Sequence, residues 1–361
     1  MSKSCGIARY PSPRPCKIRA ETKNRNGTAR WWCLEHGCPA WGPSGVRLER
    51  CAGATSVLPP PGEVLRLDPG EFPGGVGVWG AIDPVYAWGL PDHDEGVHVH
   101  ARLVAGGPKV IDATYAAVVV AVGDIDITID ATAARNYSLS AIAGVKLVAL
   151  ECPRCQERHV DMAQFAVIAH RRHQCNRCGG YFWAKTESVG NPCAALQEAL
   201  GLRRHDGTVS ERRLVLEQQM LKGLALWGTN PAIIWTGGTP EEIGIHVHAM
   251  DSAGRLLDET YGAVTVDGIE LDPLQVRVLM AQRAIPDFTG RVVVMSCTQC
   301  GTAHFDVGSS AWIPGEKHSC KICGMPLTHA GRFKRVISNP LVASLPLLIA
   351  GRSPLESRGI A

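Results

Sequence analysis

Short apolar runs, alternating or continuous, alternate along most of this chain with polar turns. The segment GVHVHARL from Gly96 has period two, which places Val97, Val99 and Ala101 on one strand face and His98 and His100 on the other. The valine face is the natural core side. Leu271, Asp272 and Pro273 open a helix, with Asp272 as N-cap and Pro273 in the first turn, that runs on through QVRVLMAQRA. A second helix is expected near Ala131 to Ala143, and VKLVALEC and RVVVMSC read as short buried strands that deliver the chain into a cysteine pair. SERRLVLEQQMLKGLAL from Ser210 has helical spacing and reads as a connecting helix.

The same succession of patterns occurs twice. VWGAIDPVYAWG from Val78 matches LWGTNPAIIWTGG from Leu226, GVHVHA from Gly96 matches GIHVHA from Gly244, and IDATYAAVVV from Ile111 matches LDETYGAVTV from Leu257. CPRCQERHVD from Cys152 matches CTQCGTAHFD from Cys297, and both copies go on to an Asn-Pro pair at Asn191 and Asn339. Landmarks that stay in register over this length imply a tandem duplication. The expected fold class is therefore α+β: a β-rich unit of three strands, a helix and a strand, made twice, each copy ending in a cysteine module. The expected boundaries are a head at 1–52, a Pro/Gly-rich linker at 53–77, a first unit at 78–200 with its cysteine module at 151–184, and a connecting helix at 201–225. A second unit follows at 226–350 with its module at 296–330, and a tail at 351–361.

Composition narrows the classes. With 361 residues, 45% of them hydrophobic and 20% charged, the chain can bury a real core, which excludes a disordered or fibrous protein. Met1 leads into Ser-Lys-Ser-Cys with no apolar stretch after it, so the 14 cysteines do not read as a secreted disulfide framework and a cytoplasmic location is expected. The apolar run from Leu341 to Ala350 is too short to span a bilayer and contains Pro346, so no membrane role is expected.

Thiolates at this density point to metal. Cys152, Cys155, Cys175 and Cys178 form two C-x-x-C pairs with nineteen residues between them, and Cys297, Cys300, Cys320 and Cys323 repeat that spacing. Two such pairs supply four soft ligands at about 2.3 Å around one tetrahedral Zn2+. Over some thirty residues per copy the spacing resembles zinc ribbons of the rubredoxin-like kind, a resemblance that implies a structural metal and no particular function. Two zinc ions are expected, and iron fits the same spacing. His159, His173, His304 and His318 flank these cysteines at matching places; since four thiolates already close a site, a supporting role is expected for them. In the head, Cys16, Cys33, His36 and Cys51 make one four-ligand set for a third ion, with Cys5 and Cys38 as competitors; about 50 residues poor in aliphatic side chains need such a staple.

Charge is unevenly spread. The net charge is +3, but residues 1 to 51 carry ten Lys/Arg against three acids. Lys17, Arg19, Lys23, Arg25 and Arg30 lead into Trp31 and Trp32, so cations that track phosphates sit beside indoles that can stack on bases. The β regions are acidic. The expected role is binding of nucleic acid, or of a protein complex that handles it, without catalysis. Two rivals stand beside it. In one, His98 and His100 with Asp112, and His246 and His248 with Asp258, hold a metal for a hydrolase, because i and i+2 imidazoles share a strand face. In the other, the duplicated scaffold is a protein-interaction adaptor that imitates a dimer. Histidines on the solvent side of a sheet more often hydrogen-bond than bind catalytic metal, so the enzyme ranks behind. Neither a phosphate-binding glycine loop, a nucleophile elbow nor HExxH is present, and Cys193, whose counterpart in the second copy is Leu341, is expected to pack.

Overall fold

The computed structural model describes residues 62–90, 95–202, 208–237 and 242–350, together with the backbone of five short strands in the first 41 residues. Three of those strands, Arg19–Lys23, Ala29–Cys33 and Pro39–Trp41, pair antiparallel as one small sheet. The side chains expected to work in the head, Cys16, Cys33, His36 and Cys51 as ligands and Lys17, Arg19, Lys23, Arg25, Arg30, Trp31 and Trp32 as a nucleic-acid surface, lie outside the described residues.

The first unit runs through β1 (Val64–Leu67), β2 (Gly75–Gly80), β3 (Tyr86–Trp88), β4 (Val97–Arg102), β5 (Lys109–Tyr115), β6 (Ala117–Val122) and β7 (Ile125–Asp130) into α1 (Ala131–Ile142). Its cysteine module contains β8 (His170–Gln174) and β9 (Tyr181–Gly190) and leads to α2 (Cys193–Ala199). The second unit repeats the order with β10 (Arg213–Leu216), β11 (Leu221–Gly228), β12 (Ile234–Trp235), β13 (Ile245–Asp251), β14 (Leu256–Tyr261), β15 (Ala263–Val266), β16 (Ile269–Leu271) and α3 (Pro273–Arg283). The fold is thus mixed α+β and rich in strands. Asp130 and Asp272 cap the two main helices, accepting from the N–H of Ala133 at 2.7 Å and of Gln275 at 2.8 Å.

Two readings of the sequence change. The stretch from Ser210 to Leu226 is β10, a short turn and β11, with no connecting helix. Leu214 and Leu216 satisfy a period of two as well as a helical stripe, and the parallel pairing of β10 with β15 decides between them. The Asp267 carboxylate holds the turn, accepting from the Gln218 N–H at 2.9 Å and from its side-chain amide at 2.6 Å. Likewise the expected linker at 53–77 supplies β1, whose Leu65 and Leu67 are buried and which pairs parallel with β6. Each unit therefore has more strands than the three and one expected.

The two units exchange a strand. In the first four-stranded sheet the order is β5-β4-β2-β12, and in the second it is β14-β13-β11-β3, so each unit's short Tyr/Trp-bearing strand completes the other's sheet. The cores follow the exchange: Ile82, Val85 and Tyr86 pack in the second core, Ile233 and Ile234 in the first. The Trp227 indole N–H donates to the Ile82 carbonyl at 3.1 Å and the Tyr137 hydroxyl donates to that of Ala232 at 3.1 Å. Helices lie directly on the central strands. A Cβ on Gly80 would stand 2.1 Å from the Ala134 carbonyl oxygen, and one on Gly228 would stand 2.2 Å from Arg277 Cα. Among the described residues no helix is long and apolar enough to cross a membrane.

Candidate metal centres

The four cysteines of each module converge as expected. Sγ atoms lie 3.6 Å apart for Cys152 and Cys178 and for Cys155 and Cys175. In the second module Cys297 and Cys323 are 3.5 Å apart, Cys300 and Cys320 3.6 Å, and Cys300 and Cys323 3.9 Å. A tetrahedral ion with bonds of about 2.3 Å has ligand edges of about 3.8 Å, whereas a disulfide brings sulfurs to about 2.05 Å. Both clusters are therefore geometrically suited to zinc.

All four C-x-x-C turns share one backbone. In each, the first cysteine's carbonyl accepts from the N–H four residues on, at Gln156, Gly179, Gly301 and Gly324, at 2.8 to 2.9 Å. Those four residues have positive φ, between 59° and 73°, which explains glycine at three of them; Gln156 adopts it within the same bonded turn. Against the cost of burial, the backbone N–H groups of Arg154 and Cys155 hold Cys152 down at about 6. Hydrogen bonds with the hydroxyl and N–H of Thr302 hold Cys300 at about 6. Within the same tetrads, against their backbone N–H bonds, burial and the neighbouring cysteines push Cys155 and Cys323 up to about 12, so Cys152 and Cys300 give up their protons first.

His159 and His173, with His304 and His318, are not sulfur substitutes. They converge on Asp161 and Asp306, two carboxylates for which the sequence raised no expectation. Asp161 meets His159 Nε2 at 2.7 Å, His173 Nδ1 at 3.2 Å and His170 Nε2 at 3.3 Å, and accepts from the Gly190 N–H at 2.6 Å. Asp306 meets His304 Nε2 at 2.9 Å and His318 Nδ1 at 3.2 Å and accepts from the Ser338 N–H at 2.7 Å. Burial disfavours the Asp161 charge, yet His159, His173 and the Gly190 N–H outweigh it and hold its carboxyl well below the usual range. This network ties each module to the strand that leaves it. The H-x-D after the first cysteine pair and the H-x-C of the second were the available signal.

The H-x-H strands behave as their period implied. Val97, Val99 and Ala101 are fully buried, and the histidines face a cleft of about 320 Å³ between the units. Across the strand pair His98 stands opposite Thr114 and His100 opposite Asp112; in the second unit His246 faces Thr260 and His248 faces Asp258. The structure therefore brings together both triads considered from the sequence. It adds five side chains that were not singled out. Thr114 and Thr260 hydroxyls lie 3.1 Å from Nδ1 of His98 and His246. Trp79 and Trp227 stand edge-on to His100 and His248, with ring centres 5.0 and 4.8 Å apart. Lys109 Nζ lies 3.0 Å from Asp112 and 3.1 Å from Asp258, a contact between the units. The repeated D-x-T of IDATY and LDETY was the signal for the threonines; nothing local to Lys109 announced its reach.

Cys193 is fully buried, and desolvation raises its thiol far above the ordinary value, in keeping with packing. No known family, curated protein or solved structure matches this chain.

Proposed function

We propose that the chain is a zinc-stabilised nucleic-acid-binding protein, in which a duplicated, strand-exchanged scaffold carries two structural four-cysteine modules that hold their ions closed and act through their surfaces. The observation that carries the reading is the outer face of the first module. Tyr181 and Trp183 on β9 are 52% and 69% exposed. Arg172 on β8 stands opposite Trp183 and sets its guanidinium 4.0 Å from the centre of the Tyr181 ring. Arg171 and Lys185 are exposed on the same two strands. Exposed aromatics interleaved with cations are a platform on which unpaired bases stack while the backbone phosphates meet positive charge. The second module has Pro326 and Thr328 where the first has Tyr181 and Trp183, so the platform belongs to the first alone. The basic, tryptophan-bearing head supports the same partner from sequence.

Fluorescence anisotropy with single-stranded DNA and RNA of mixed sequence tests this. Binding at low salt, weakened about 5- to 150-fold by Trp183→Ala with metal content intact, is the expected result. Deleting residues 1 to 52 is expected to flatten the salt dependence, because those residues hold the excess of positive charge. If neither polymer binds at low salt, the proposal fails and the adaptor reading replaces it.

A further inference from the structure

The cleft holds a second kind of metal chemistry, independent of the nucleic-acid reading. We infer that His246, His248 and Asp258 form a binding site for a divalent transition-metal ion of the zinc type, whose remaining coordination positions face the cleft. The three candidate ligand atoms make a nearly regular triangle. Nε2 of His246 and of His248 are 3.0 Å apart, and each is 3.3 Å from Asp258 Oδ1. An ion with nitrogen and oxygen ligands at about 2.0 to 2.1 Å has tetrahedral edges of about 3.3 to 3.4 Å.

The Thr260 hydroxyl beside His246 Nδ1 can accept its proton, which leaves a lone pair on Nε2 and fixes the ring, as the outer partners of metal-bound histidines do. Asp258 Oδ1 is buried and in hydrogen-bonding geometry to neither imidazole. One proton can bridge the two imidazoles across their 3.0 Å contact, whereas a bound cation satisfies both nitrogens and the carboxylate oxygen at once. The side chains remain 29%, 19% and 28% exposed, on the cleft side, and three protein ligands, against four in each cysteine cluster, leave a coordination position open.

The first unit serves as an internal comparison. There the corresponding edges are 2.7, 3.1 and 3.6 Å, an irregular triangle. The charge is supplied by Lys109, whose Nζ lies 3.3 Å from His100 Nε2 and 3.0 Å from Asp112. The residue three before Asp258, where Lys109 stands before Asp112, is Arg255, and its guanidinium turns away to the exposed side of Asp251 at 2.7 Å. Lys109 reaches Asp258 only through Oδ2, on the oxygen the histidines do not use. One copy thus carries a lysine ammonium where the other keeps its ligands convergent.

Cobalt titration of the full chain with zinc already in the four-cysteine modules tests the inference. One equivalent of Co2+ is expected to bind with visible d–d absorption and without the sulfur charge-transfer band that cysteine sites in the modules or the head would give. His248→Ala and Asp258→Asn are expected to abolish it, and His100→Ala to keep it. Thr260→Val, a milder change, is expected to weaken it 10- to 100-fold. Retained module zinc and an unchanged circular dichroism spectrum report folding. No Co2+ binding by the wild type, an equivalent that survives in His248→Ala, equal loss in His100→Ala, or unchanged affinity in Thr260→Val would each overturn the assignment.

Discussion

The close approach of helix to strand at two glycines yields a sharp stability prediction. Gly80 ends β2 and Gly228 ends β11, each just after the tryptophan of a Trp-Gly pair, and each lies against the first turns of the unit's main helix. An alanine methyl at position 80 would sit 2.1 Å from the Ala134 oxygen and 2.5 Å from the Arg135 nitrogen; at 228 it would meet Arg277 N at 2.5 Å. Ordinary contact is about 3.5 to 4.0 Å between carbons. The obstacle is helix backbone, so no rotamer change relieves it and the helix must move off its strand. Overpacking costs about 1 to 3 kcal/mol in most cores, and an immovable neighbour puts these substitutions near 3 kcal/mol each. For a unit of this size that is roughly 6 to 12 °C in Tm. Gly290→Ala is the control, since its added methyl meets only the Phe333 ring at 3.5 Å. The assay is thermal unfolding followed by circular dichroism on the three single variants. If Gly80→Ala and Gly228→Ala melt within a degree of the control, the helices are not where the structure puts them.

Other expectations follow from particular contacts. Cys175→Ser or Cys320→Ser should each remove one zinc ion and loosen the adjoining strands, read by elemental analysis and proteolysis, because metal binding to such modules is part of their folding free energy. Tyr137→Phe should cost about 1 to 3 kcal/mol in denaturant unfolding, since it strips the buried Ala232 carbonyl and the Gln197 amide of a partner. Asp161→Asn should destabilise by about 3 kcal/mol at neutral pH by breaking a buried charged network. Because the folded carboxyl titrates below the unfolded one, its contribution is complete above the ordinary aspartate value of about 3.9 and fades as pH falls beneath it. The gap in Tm between wild type and Asp161→Asn should therefore narrow on acidification below about pH 4; a gap that widens would contradict the sign.

Local pattern made much of this readable in advance. The period of GVHVHARL named the buried face of β4, Asp272-Pro273 named a helix start to the residue, and the cysteine spacing named both tetrads. What stayed hidden depends on partners distant in sequence. Ser210 to Leu226 carries apolar spacing that suits a helix or a strand, and the parallel edge offered by β15 selects the strand. Strand exchange was likewise invisible, because YAW and IIW look the same whichever sheet they complete. At the sites, like residues were found and their supports were missed: Thr260 and Asp306 are ordinary in sequence and acquire meaning only from the atoms opposite them. Lys109 is the extreme case, a single side chain whose role is set by a carboxylate 149 residues away.

Two four-cysteine centres, geometrically suited to zinc, are expected to hold this fold together as structural metal sites. Zinc K-edge X-ray absorption on the full chain carrying His248→Ala, with zinc counted per chain, tests it most directly. At least two tightly held ions are expected, with a first shell dominated by sulfur at about 2.3 Å. Fewer than two ions in a folded chain, or a shell dominated by nitrogen and oxygen at about 2.0 to 2.1 Å, would contradict it.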